Sequence, residues 1–449
     1  MKQIGTATGV TRSRRTATQR ETAPTFAQAG GDYRFDVLIL DAATRQSLAS
    51  ARSLGRAGLR VALGECAADC DASSSALSFH SRYSAHNVVL PDLTADAKAF
   101  AHAVIDFVRE HPTRMVLPTG DGAIASLIPY RDQFELYRSV LALAPDAALD
   151  IANDKDRTLA VAQSLGIDYP RTVPISSIDD IRALGDSFQF PFVLKPTISF
   201  SPLSADRLRV VEVINESEAA SAIRVYQSAG AGVLAQEWAC GRREGVSLFV
   251  ADGEIRAACA HVAHRTSPAL GGASVLRESG PILEEIYGPA ARLVAAIGLE
   301  GVCEVEFRRD ADGRPLLMEV NARLAGTIEN AVHSGVDFPL MIWQWATGQP
   351  VERVHGYKTG VRTRWLRGDM RWLHDNHRRA GRPDSVPRAR ALSSFAVEFL
   401  RTRHLDCLDL RDLGPARAEL RATARAVRGS LKSQSALTPE PKGESLVGS

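Results

Sequence analysis

The chain reads as a multidomain protein that opens with an α/β unit, and three observations support this. At 449 residues it exceeds what one hydrophobic core normally holds, so about two or three domains are expected. Between residues 33 and 150, apolar β-branched runs alternate with stretches of helical spacing, as in an α/β unit. Beyond residue 151 a second unit of short strands and helices follows, ending in a hairpin. Hydrophobic residues make up 45%, charged residues 24%, and the net charge is +2. That balance argues against a nucleic-acid or membrane-surface partner, and no uninterrupted apolar run approaches bilayer length. Six cysteines (Cys66, Cys70, Cys240, Cys259, Cys303, Cys407) lack metal-ligand spacing, which fits reduced thiols in a cytoplasm.

The first 32 residues, rich in Thr, Arg, Ala and Gln, have no apolar stripe and read as a disordered tail. The α/β unit then opens with a strand over Asp36 to Leu40, a helix over Arg45 to Arg56 and a strand over Leu59 to Leu63. A helix over Ala97 to Glu110, a strand over Met115 to Leu117 and a helix over Gly120 to Tyr130 follow, and the unit closes near Pro145. Its first turn, Asp41-Ala42-Ala43-Thr44, has no glycine, which argues against a dinucleotide fingerprint.

A second unit begins where Asp154 caps a helix over Lys155 to Leu165, stopped by Gly166. The strand Phe192-Val193-Leu194-Lys195-Pro196 ends in a lysine that should face something negative. After a polar loop from Thr197 to Asp206 come a strand over Leu208 to Val213, a helix over Glu216 to Ala229 and a strand over Val233 to Trp238. The chain turns at Gly241, and Glu244 opens a strand over Gly245 to Val250.

The chemistry concentrates in the next hairpin. Strands Val302 to Arg308 and Pro315 to Val320 are joined by Asp310-Ala311-Asp312-Gly313, which brings Glu306 near Glu319, while Glu319 and Asn321, two apart, share a face. Two carboxylates and an amide oxygen suit magnesium. Taken alone, the hairpin reads more readily as a charged turn facing solvent.

Taken in order, Lys155, Phe192 to Pro196, Glu237 with Glu244, Glu306, and Glu319-Val320-Asn321-Ala322-Arg323 resemble the ATP-grasp superfamily. The resemblance covers about Asp36 to Pro350 and is to the carboxylate-amine ligase type, similar to the carbamoyl-phosphate synthetase large subunit. It implies a Rossmann-like pre-ATP-grasp domain (33–150) and ATP-grasp subdomains of α+β type (151–235 and 236–350); beyond them lie a C-terminal extension (351–433) and a polar, Pro/Gly/Ser-containing stretch that reads as a second disordered tail (434–449). It further implies ATP and Mg2+ (or Mn2+), with Lys155 and Lys195 on the phosphates. The adenine edge would lie against Gln236, Glu237, Trp238 and Ala239, with Glu244 on the ribose. Glu306, Glu319 and Asn321 would hold the metal, and Arg323 with Lys195 would act in catalysis. Lys155 reads equally as a surface lysine, and Glu244 as a surface ion pair with Arg242 or Arg243. Members of the superfamily commonly carry glycines in the loop after the strand lysine; here residues 197 to 204 have none.

For the acceptor, the run from His261 to Glu278 contains Arg265, Gly271, Gly272, Ser274 and Arg277. It looks like the segment lying across the cleft from ATP, where the arginines would clamp a carboxylate, or it is a turn-rich loop with exposed arginines. Further on, Arg362 and Arg364 share a strand face and pair with surface carboxylates or close the cleft, and Ala416 to Leu431 reads as a basic amphipathic helix. The expected function is ATP-dependent activation of a carboxylate as an acylphosphate and its ligation to an amine, the partners being small molecules and the resemblance compatible with a homodimer. The alternatives are a degenerate ATP-binding sensor, or an enzyme with a thiol or carboxybiotin-type acceptor. No Gly-x-Ser-x-Gly elbow supports a serine hydrolase.

Overall fold

The computed structural model describes residues 32–67, 76–185, 188–197, 208, 210–268 and 272–435. The two expected tails lie almost wholly outside these residues, as do loop residues 198–206 and Gly271.

The first sheet contains β1 (Phe35–Ile39), β2 (Val61–Cys66), β3 (Ser84–Leu90), β4 (Thr113–Leu117) and β5 (Val140–Leu141), all parallel, in the order β3-β2-β1-β4-β5. Helices cover it, so Val37, Leu38 and Ile39 are all buried, which is why this strand reads as a continuous apolar run. The helices Arg45–Arg56 and Ala97–Glu110 form over the expected residues, capped by Thr44 and Asp96. The strand order reverses beside β1, opening a crevice at the carboxyl ends of β1 and β4. The glycine-free turn is accommodated there because Asp41 adopts φ 58, and its carboxylate accepts from the amides of Thr119 (2.9 Å) and Gly120 (2.7 Å).

The second sheet is antiparallel, with β6 (Thr172–Ile175), β7 (Phe192–Pro196), β8 (Val211–Val213) and β9 (Val233–Glu237) in the order β6-β9-β7-β8. Phe192 and Leu194 point into a core made with Ile223, Tyr226 and Ala235. That core is separate from those of the rest of the molecule. Strand alternation then aims Lys195 the other way.

The third sheet has the order β14-β13-β10-β11-β12-β15-β16. Its strands are β10 (Arg243–Ala251), β11 (Glu254–Ser267), β12 (Ala273–Gly280), β13 (Gly301–Arg309), β14 (Pro315–Asn321), β15 (Arg362–Arg364) and β16 (His404–Leu405). One face packs the helix Glu284–Ile297 into a core continuous with that of the first sheet. The stretch holding Arg265 and Arg277 is therefore strand on either side of residues 269–271, and neither arginine is exposed. Its inward-facing polar residues had hidden the apolar alternation that marks a half-buried strand.

Residues beyond 350 complete this sheet and bury their charges. Arg277 Nη2 and Arg45 Nη1 both donate to Asp406, at 2.9 and 2.7 Å. Arg52 donates to Asp412 at 2.9 Å, and Arg265 and Arg364 converge on Asp369 at 2.7 and 2.6 Å. Arg364 and Asp369 are fully buried, so this arginine pairs in the interior, whereas the sequence favoured a surface pairing. Burial opposes ionisation of Asp406, but Arg277 and Arg45 outweigh it and hold its carboxyl below the ordinary range. Asp406→Ala should cost about 3–5 kcal/mol, because it strands two buried guanidiniums. Because the folded-state pKa is depressed, the stabilisation is present above the ordinary carboxylate pKa and fades as pH falls through the folded value. Urea unfolding of both forms at neutral and acidic pH measures this, and the gap between them should narrow in acid.

Candidate active site

The chemistry lies on the polar face of the third sheet, and register dictates its membership. Glu319 on β14 pairs with Glu306 on β13, which pairs with Gly245 on β10, which pairs with His261 on β11. These four therefore form one transverse row. A bulge follows directly after Glu306, a common device for re-aiming side chains beside a site. The next row places Asn321 beside Glu304, and Asn321 Nδ2 lies 3.4 Å from an oxygen of both Glu306 and Glu319. Gly245 is required by the row: a Cβ there would fall 2.5 Å from His261 Cε1. The imidazole leans across β10, and its Nε2 comes 3.6 Å from Glu304, which also accepts from Thr327 Oγ1 at 2.5 Å. Burial first, then Arg277 and Arg243, pushes His261 down to about 3, so the ring is neutral.

The two carboxylates are unequally compensated. Burial pushes Glu306 up to about 8, and Glu319 opposite adds to it, although Arg243 Nη2 stands 3.3 Å away. Burial also works against ionised Glu319, but Lys155, Lys195, Arg243 and Arg323 outweigh it and hold Glu319 below its ordinary value. A face with two opposed carboxylates and an amide, one carboxylate disfavoured from ionising by burial and by its neighbour, has a donor set that a hard divalent cation fits.

A cavity between the second and third sheets brings the expected residues together: Lys155, Lys195, Gln236, Glu319 and Asn321 all line it. Lys155 opens the helix Lys155–Ser164, its amide donating to Thr197 O at 3.2 Å. Burial pulls the Lys195 ammonium down to about 8; Glu319 opposes this, and Lys155 and Arg243 add to it. Such a lysine is positioned for an anion. Apolar walls from Leu159, Leu234 and Leu317 complete the cavity. Gln236 donates Nε2 to Thr172 Oγ1 at 2.9 Å, while its buried Oε1 meets no partner among the described residues. Glu237 is exposed at the end of β9, and Trp238 and Ala239 lie in the turn leading to β10.

Other expected residues fall elsewhere. Glu244 lies on the opposite face of β10 from the carboxylate row, buried, and its carboxylate is held by Arg242 and by Arg309 Nε at 2.7 Å. It is neither an exposed ion pair nor turned toward the face that carries Glu306 and Glu319. Arg243 takes that face, a residue that the alternation back from Gly245 could have identified. Arg323 makes a two-pronged ion pair with Asp121, from the crevice at the end of β4. Asp121 also lines the cavity and had no signal in the sequence. Arg265 and Arg277 are committed to Asp369 and Asp406, so the structure does not present them as an open carboxylate clamp. Gly272 O accepts from Arg243 Nη1 at 3.2 Å, and the buried Ser274 Oγ has no partner among the described residues.

Residues 253–368 match the family described as ATP-grasp in the biosynthetic pathway with Ter operon. A D-alanine--D-alanine ligase of Pseudomonas entomophila is 26% identical over 211 residues, 43% of this chain and 63% of that protein; the chain thus spans less than two thirds of that relative. Among solved structures, an L-amino acid ligase from Bacillus licheniformis superposes with TM-score 0.54 at 18% identity, covering 72% of this chain and 76% of its own. A biotin carboxylase from Campylobacter jejuni gives 0.56 at 16% identity, covering 73% and 74%. At these identities the structural matches establish the fold.

An anion bound at Lys195 would restore its ammonium form. Affinity for ATP should therefore weaken as pH rises through about 8, approaching about tenfold per pH unit. Lys195→Met should bind more weakly and lose that slope. Calorimetric titration of ATP on either side of pH 8 tests this, and a flat wild-type profile would remove Lys195 from the site.

Proposed function

We infer that this chain, a member of the ATP-grasp superfamily, is an ATP-dependent ligase that activates a small carboxylate as an acylphosphate and joins it to an amine, releasing ADP and phosphate. The observation that carries this reading is the convergence of Lys155 and Lys195 from one side and Glu319 and Asn321 from the other on one cavity. Phosphoryl transfer is served mainly by positioning and charge neutralisation, and these residue types supply both. Names of the relatives, a D-alanine--D-alanine ligase and an L-amino acid ligase, support a carboxylate-amine reaction.

In this reading Lys155 and Lys195 hold the phosphates, and the buried Gln236 Oε1 faces the base. Glu306, Glu319 and Asn321 would hold Mg2+ or Mn2+, which when bound neutralises phosphate charge. Arg323 is held in place by Asp121, its guanidinium fixed at the boundary between the cavity and the crevice of the first sheet, where a carboxylate substrate would meet the phosphate. No side chain need act as a nucleophile. No helix among the described residues is long and apolar enough to cross a membrane.

The deciding experiment is magnesium-dependent ADP release from ATP across pooled amino acids and small dicarboxylates. One pool should raise the rate, and Glu319→Ala should lower it by about a hundredfold or more with little change in melting temperature. Tight ATP binding without acceptor-dependent release in any pool would favour the sensor alternative; an unaltered rate in Glu319→Ala would sink the metal assignment.

A further inference from the structure

The second sheet is joined to the third through residues 238–242 and has a hydrophobic core of its own. It contributes Lys195 to the cavity, and the third sheet contributes Glu319; Lys195 is only 5% exposed. A triphosphate can reach both only if the two sheets part, so something must set how readily they do.

The connection between the helices Leu366–Arg378 and Arg388–Arg401 crosses between the two sheets. On one side, Arg379 pairs with Glu212 on β8, and Arg382 Nη2 donates to Glu218 Oε1 at 2.7 Å. On the other side, Asp384 pairs with Arg308 on β13. Arg308 in turn reaches the turn between the sheets: its Nε donates to Gly241 O at 3.0 Å, and its guanidinium lies 5.1 Å from the centre of the Trp238 ring. Three carboxylates and three guanidiniums thus link the second sheet, the crossing segment and the turn on which the second sheet would swing.

We propose that residues 379–384 are an electrostatic latch that holds the second sheet closed over the cleft and is coupled through Arg308 to the turn at Trp238 to Gly241. The proposal rests on the nucleotide reading of the cleft given above. The pairing chemistry suits a releasable contact. Arg379, Arg382 and Glu218 are partly solvated in the closed form, so they regain full hydration on opening, and ion pairs of this kind are individually weak and screened by salt. Glu212 is different: its carboxylate is buried and one oxygen has no partner among the described residues. Opening would hydrate that oxygen, which keeps the closed form from being too stable to release its ligand.

The test is stopped-flow release of a fluorescent ADP analogue from its magnesium complex with the full chain. Arg379→Ala/Arg382→Ala should release it at least about tenfold faster, because one solvated pair is lost and the buried Glu212 is left without its arginine in the closed form. Asp384→Asn, which cuts the other side of the latch and keeps these arginines, should move release in the same direction and serves if the double variant does not fold. Added salt should speed release from the wild type towards the double variant's rate while changing the double variant little. Unchanged release rates in folded variants, even with a lowered melting temperature, would make these pairs merely structural and end the proposal. Failure of the wild type to bind the analogue at all would instead overturn the nucleotide reading, and the latch with it.

Discussion

The antiparallel register of β13 and β14 is the constraint on which the site depends. With Glu306 opposite Glu319, two carboxylates share a buried face. Slipping one strand by a single residue would put a glutamate into the apolar core on the other side. The surrounding cations, Lys155, Lys195, Arg243 and Arg323, oppose Glu304, Glu306, Glu319 and Asp121. These cations keep Glu319 ionised but leave Glu306, raised by burial and by Glu319, short of counter-charge. The same register explains Gly245, whose missing side chain lets His261 cross one strand to approach Glu304.

Core architecture divides the molecule into a stiff part and a hinged one. The first sheet and the apolar face of the third share one continuous cluster that runs from Phe35 to Ala322. The second sheet closes on itself around Phe192 and Tyr226. Packing holds the first and third sheets in register with each other, while the position of the second relies more on polar contacts and on the turn after β9.

What could be read from the sequence was local. The helices Arg45–Arg56 and Ala97–Glu110, the strand Phe192–Pro196 and the hairpin carrying Glu306 and Glu319 each have a period, a cap or a turn within a few residues. What could not be read depended on partners far along the chain. Arg323 is 202 residues from Asp121, and Arg277 is 129 from Asp406, so nothing near either arginine announces that it is occupied. Glu244 was missed differently: strand periodicity is strict, and Arg243, its immediate neighbour in sequence, takes the opposite face. Strands β11 and β12 escaped because one face of each is buried against polar partners, largely beyond residue 350, and so carries His, Arg and Ser where a core-facing strand would carry Val or Ile.

The sharing of Asp406 between Arg45 and Arg277 also bears on the order in which the molecule assembles. Domains tend to fold as they emerge during synthesis, amino-terminal parts first. Here Arg45 and Arg52 sit on the first long helix, but their carboxylates, Asp406 and Asp412, are made 361 and 360 residues later. Until then the nascent first sheet carries guanidiniums that cannot be buried without a counter-charge, so the surface around that helix must stay hydrated while the other two sheets are built. The arrival of residues 404–412 closes this circuit, and folding of the amino-terminal unit is completed by nearly the last part of the described chain to be synthesised.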